Sequence, residues 1–186
     1  MSRSQTFMIV TALLATIAIA FACGGDDDNA GNALTLEQYF AEFESIDARA
    51  NSEAEELFAI FPGGPDISEE EFYADEDNLP FLKEILGGLP GVVENAIEGF
   101  EALDAPDEVA DAHDEMLAAA NEMLAAFEND AKAAADAESM EEAVVASQGD
   151  ESLRASASFE NACLAVVEIA DAQGIETNIT CLQGSS

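Results

Sequence analysis

From Thr35 onward the apolar positions recur every three or four residues: Leu36, Tyr39, Phe40, Phe43, Ile46, Ala50, Ala54, Leu57, Phe58 and Phe61. That spacing traces one face of a helix. Thr35 with Gln38 predicts a capping box at its start, since a hydroxyl and an amide three residues apart can each satisfy an exposed end of the backbone. Pro62-Gly63-Gly64-Pro65 predicts its end. An acidic connection follows over residues 66–78, in which Ser68-Glu69-Glu70-Glu71-Phe72-Tyr73 is expected to form a short helix with its acids near the favourable N-terminal end.

A second helical stretch over residues 80–104 carries Phe81, Leu82, Ile85, Leu86, Leu89, Val92, Val93, Ile97, Phe100 and Leu103. Gly87-Gly88-Leu89-Pro90-Gly91 interrupts it, and a break or kink is expected there because proline lacks the N–H and crowds the preceding turn. The same glycines do not make a phosphate loop, for no Walker lysine accompanies them and no strand precedes them. Asp104-Ala105-Pro106 turns the chain into an alanine-rich helix over residues 106–137, with Val109, His113, Met116, Leu117, Ala120, Met123, Leu124 and Phe127 on one stripe. Ser139 with Glu142 predicts a further capping box and a short helix that Gly149 closes. A last helix begins near Asp150, carries Leu153, Ala157, Phe159, Cys163, Leu164, Val166, Val167 and Ala170, and stops at Gly174. Residues 175–181 are β-branched and short, and predict an extended return. Four long amphipathic helices with no plausible sheet imply an all-α fold, an antiparallel four-helix-type bundle with short extra helices and a C-terminal extended segment.

The N-terminus has a different pattern. Arg3 is followed by residues 7–22 without one charged side chain, a charged n-region and an apolar h-region. As a helix that run would reach about 24 Å, short of the roughly 30 Å a spanning helix must cross. Residues 1–22 are therefore expected to be a signal peptide that is removed. Ala20-Phe21-Ala22-Cys23 is open to two readings that cut the same bond: a small-x-small peptidase site, or a site that resembles a bacterial lipobox, with Ala20 and Phe21 where such sites usually carry Leu and a small residue. The lipobox reading is favoured, because residues 23–33 continue as Gly24-Gly25-Asp26-Asp27-Asp28-Asn29, a polar tether unable to pack. Cys23 would then carry the lipid, and residues 34–186 would form the bundle outside the cytoplasm, on the outer side of the bacterial cytoplasmic membrane or in the cell envelope.

Cysteine arithmetic agrees with export. The chain has three cysteines, and an odd thiol is a liability under oxidising conditions. Lipidation removes Cys23, leaving Cys163 and Cys181 to pair. About 16 Å of helix separates Cys163 from Gly174, and seven extended residues can run back up to about 23 Å, so the sulfurs can meet. Two unpaired thiols are the alternative.

The charge is extreme: 40 acidic against 5 basic residues, formally −35, with one of the five, Arg3, in the leader. Nucleic acid and anionic lipid head groups are disfavoured as partners, and weak divalent-cation binding is a possible use. Glu69-Glu70-Glu71 and Asp75-Glu76-Asp77 lack the alternating oxygens and turn glycine of a defined calcium loop.

No catalytic constellation emerges, and no cofactor is implied. His113 is the only histidine, so any base-assisted mechanism is limited to it, with Asp111, Asp114 or Glu115 as the nearby carboxylates. Ala110 stands where a di-iron Glu-x-x-His motif needs its glutamate. His113, Met116 and Met123 share a helical face and are weak candidates for a soft metal such as copper(I); packing in the core is the alternative. Asn178-Ile179-Thr180 matches a glycosylation acceptor, a chance match beside a bacterial-type leader.

Cys23-Gly24-Gly25-Asp26, the Leu103-x-x-Pro106-x-Glu108-Val109 turn before His113, and Cys163 with Gly174-Ile175 and Cys181 together resemble small uncharacterised helical lipoproteins of bacteria. The resemblance implies location and fold, and carries no activity. The expected function is a non-enzymatic, lipid-anchored envelope domain that binds a ligand or partner; the alternative is an envelope divalent-cation or soft-metal buffer.

Such a charge repels itself in the compact state, so the melting temperature is expected to rise with salt, and more with calcium than with sodium at equal ionic strength. Thermal unfolding in the two salts tests this; a temperature independent of both would contradict it.

Overall fold

The computed structural model describes residues 34–60 and 72–181. Its helices are α1 (Leu36–Phe58), α2 (Leu79–Glu101), α3 (Ala110–Asp136), α4 (Met140–Ser147) and α5 (Asp150–Gln173), with a single 3-10 turn, Glu76–Asn78, before α2. Among the described residues there is no strand, and no helix is long and apolar enough to cross a membrane. Cys23, the leader, the tether, Phe61 to Pro65 and the acidic run through Glu71 lie outside the described residues.

Sequence-local signals set most helix ends. Thr35 and Gln38 form the full capping box, each side chain bonded to the other's backbone N–H. At α4 the Ser139 hydroxyl accepts from the Glu142 N–H, but the Glu142 carboxylate reaches one residue further back, to the N–H of Glu138 at 2.7 Å. Gly174 ends α5 in the left-handed region at φ 73°, which lets the N–H of Ile175 reach the carbonyl of Ala170. That is the glycine-terminated helix end, open to a residue without a Cβ.

Two expectations are corrected. The first concerns Gly87-Gly88-Leu89-Pro90-Gly91, where of the expected break or kink the break is absent: α2 runs unbroken through Pro90. A proline inside a helix costs about 3 kcal/mol. Here both flanks bury apolar side chains, Leu82, Ile85 and Leu86 before it and Val93, Ile97 and Phe100 after it, which outweighs that penalty. Gly88 has its own reason, since a Cβ there would lie 2.6 Å from Leu57 Cδ1; α1 and α2 approach closely at that point. The second concerns the start of α3. Residues 106–109 form a turn, with the Pro106 carbonyl accepting from Val109 and Ala110, and the helix proper begins at Ala110.

The helices run alternately up and down. Phe43 near the start of α1 stacks on Phe100 at the end of α2, with ring centroids 4.6 Å apart. Lys83 at the start of α2 donates to the carbonyl of Ala135 at the end of α3, and Ser152 at the start of α5 donates to Asp130 late in α3. So α2 packs on α1 and α3, and α3 packs on α5; α1 and α5 are not a closely packed pair. The main core joins Tyr39, Phe40 and Phe43 to Phe100, Met116, Phe159 and Val166, while a smaller cluster of Phe72, Leu82, Leu86, Ala134 and Met140 seals the other end under α4.

Gly87 and Gly91 would place a Cβ in open space, and neither has a positive φ. In a continuous helix, Gly87→Ala and Gly91→Ala should each stabilise the fold by about 0.5–1 kcal/mol. Urea midpoints of the two variants test this; destabilisation by both would restore the break.

Candidate functional site

His113 is buried in the first turn of α3, and its Nδ1 lies 2.8 Å from the Tyr39 hydroxyl on α1. Burial lowers the imidazole pKa, against smaller opposing contributions from Asp114 and from a hydrogen bond to the Phe100 backbone. The ring is therefore neutral near pH 7. A bond to the Phe100 carbonyl requires the ring to donate from its other nitrogen, which leaves Nδ1 as acceptor for the Tyr39 O–H. Burial raises the tyrosine pKa far above its usual value, so that hydroxyl keeps its proton. The pair closes the polar requirement of three helices at one point, and no buried side-chain polar atom among the described residues lacks a partner.

The three sequence-derived candidates on the α3 stripe are all buried. Both ring nitrogens of His113 are engaged, and Met116 and Met123 are buried in the main core. Among the described residues no group of three or more His, Cys, Asp or Glu is placed to hold a metal. Asp111, Asp114 and Glu115 are exposed, whereas the imidazole is buried. Two of the acids suspected of gathering cations have other partners: Asp75 caps the 3-10 turn, and Glu76 accepts from the N–H of Met140 at 2.9 Å, capping α4.

Cys163 and Cys181 form a disulfide with their Cα atoms 5.7 Å apart. After Gly174 the chain returns along α5, and this segment does more than reach its cysteine. Thr180 donates to Asp47 through both its N–H and its hydroxyl, at 3.0 Å each. Asn51 donates to the Thr180 hydroxyl, and Asn178 donates to Glu44. The return is thus a strap, covalently fixed to α5 and hydrogen-bonded to α1. It bridges these two helices, which are not a closely packed pair.

Beside the strap lies a cavity of about 280 Å³. It is walled by α1 (Ala50, Ala54, Phe58), α2 (Leu89, Val92, Val93, Ala96, Ile97, Phe100), α3 (Ala120, Met123, Phe127) and α5 (Phe159, Cys163). Its only polar neighbours are Asp47 and Asn51, the residues that anchor the strap. Phe58, at the far end of α1, keeps 45 % of its exposure and marks an opening to solvent. A closed empty void of this size would cost about 7 kcal/mol at about 24 cal/mol per Å³. The opening lowers that figure, but it remains a large fraction of a typical domain stability of about 5–15 kcal/mol.

Comparison with known proteins gives no family to set beside this geometry: no protein-family model, curated protein or solved structure matches the chain.

Sequence reasoning singled out His113, Cys163 and Cys181 but missed Tyr39, Asp47, Asn51 and Thr180. A signal existed for Tyr39: one hydroxyl and one imidazole lie in apolar stripes, and buried polar groups need partners. The native state resists protonating His113, whereas the unfolded chain takes that proton near pH 6.5. Stability from this residue is therefore complete above about pH 6.5 and declines as pH falls toward the lowered native pKa. His113→Asn lacks the titration, so the stability advantage of the wild type over it should shrink between about pH 7 and 5, by at most about 1.4 kcal/mol per unit. Tyr39→Phe strands the Nδ1 acceptor and should cost about 1–3 kcal/mol. Denaturant melts at several pH values test both. A wild-type advantage that does not vary with pH would mean that the ring titrates freely in the folded state.

Proposed function

We propose that the protein is an exported domain of the bacterial cell envelope, held to the membrane by a lipid on Cys23, and that it acts by binding and not by catalysis. The observation that supports this best is the Cys163–Cys181 disulfide, which accounts for both other cysteines in the chain. Cys23 is left outside that pair, between an apolar leader and a glycine- and aspartate-rich tether. A disulfide suits an oxidising compartment. A bundle whose middle holds an apolar cavity suits binding, because concave sites between helices are a usual location for small ligands.

Stable anchoring needs at least two acyl chains, which a diacylglyceryl cysteine carries. Cys23→Ser should release the protein from the membrane to the soluble fraction while leaving the fold unchanged. Fractionation of cells expressing each form tests the reading, and undiminished membrane association of the variant would overturn it.

A further inference from the structure

We infer that the cavity between α1, α2, α3 and α5 is a binding site for one slender apolar molecule without an anionic group, with a backbone of about ten carbon atoms. The inference concerns the cavity alone and stands whether or not Cys23 is acylated.

Size sets the first limit. A dry apolar cavity of about 150 Å³ holds benzene, with six carbons, so 280 Å³ accommodates roughly ten or eleven. Length sets the second. The lining runs along α1 from Asp47 to Phe58, about 16 Å at 1.5 Å per residue, which favours an extended chain over a compact ring system.

The absence of an anionic group follows from the polar end of the lining. Asp47 and Asn51 are the only polar lining residues, and both are committed to the strap through Thr180. No cationic side chain in the lining is placed to receive an anionic head, and burying a charge without a partner is prohibitive. An anion would also meet the Asp47 carboxylate and the −35 charge of the chain.

The space is built into the sequence. Ala50, Ala54, Ala96 and Ala120 face it from three helices, at positions where a leucine would fill it. Phe58 at the exposed end offers apolar surface to a chain entering or projecting from the cavity.

The test uses the full chain carrying Cys23→Ser, so that no acyl group of its own competes, titrated with 1-decanol and, separately, with decanoate in a calorimeter. Saturable one-to-one binding of decanol is expected, with decanoate at least tenfold weaker. Ala54→Leu and Ala96→Leu fill the cavity from α1 and α2, and each should weaken decanol binding at least tenfold while circular dichroism shows helical content retained. Two variants guard against one failing to fold. Four results would overturn the inference: no decanol binding by the folded parent, equal binding of decanoate, binding unchanged in the folded filling variants, or binding only after residues 182–186 are removed. The last would assign the cavity to the chain's own terminus.

Discussion

The strap of residues 175–181 closes a bundle whose first and last helices are not a closely packed pair. Its end is fixed twice, by the disulfide to Cys163 on α5 and by the bonds from Thr180 and Asn178 to Asp47 and Glu44 on α1. Each attachment supports the other. The disulfide shortens the loop that must be ordered for the hydrogen bonds to form, and closing a loop of this length removes about 3 kcal/mol of unfolded-state entropy in the chain-entropy model. The hydrogen bonds in turn place the terminus over the α1–α5 seam. The strap also packs Ile175 and Ile179 against the main core, and its anchors on α1, Asp47 and Asn51, border the apolar cavity.

The acidity of the chain takes on structural uses that the charge total does not suggest. With so few cations, carboxylates find their partners among backbone N–H groups and neutral side chains. Glu76 caps α4, Asp75 caps the 3-10 turn, Asp130 takes the Ser152 hydroxyl, and Asp47 accepts from Thr180 and Asn51. Hydrogen bonds to ionised acceptors are stronger than neutral ones. Three of these acids, Glu76, Asp130 and Asp47, thus hold connections between elements that an ion pair would hold in a chain richer in lysine and arginine.

At one end of the bundle the Tyr39–His113 bond joins α1 to α3, and the Phe100 carbonyl brings in α2. Phe100 also lines the cavity, so a single residue borders both the polar junction and the apolar space. The junction fixes the relative positions of three helices at that end. It is directional where the surrounding aromatic packing is not, and it therefore specifies register as well as burial.

The sequence by itself determined what depends on neighbours in the chain. The apolar stripes marked four long helices, the Thr35–Gln38 box and Gly174 marked two of their ends, and the reach from Gly174 back to Cys163 allowed the disulfide. These rest on helical periodicity, local hydrogen bonding and chain length, which act over a few residues. The same local reasoning failed at Pro90, because burial on both flanks of α2 outweighs a local penalty and no nearby residue announces it. The partner of His113 was also out of reach, 74 residues away on another helix. So was the cavity, whose walls come from four helices, each contributing residues that alone look like ordinary core. Only tertiary structure decided these features, since they depend on which stripes face one another and on how closely α1 and α5 approach across the strap.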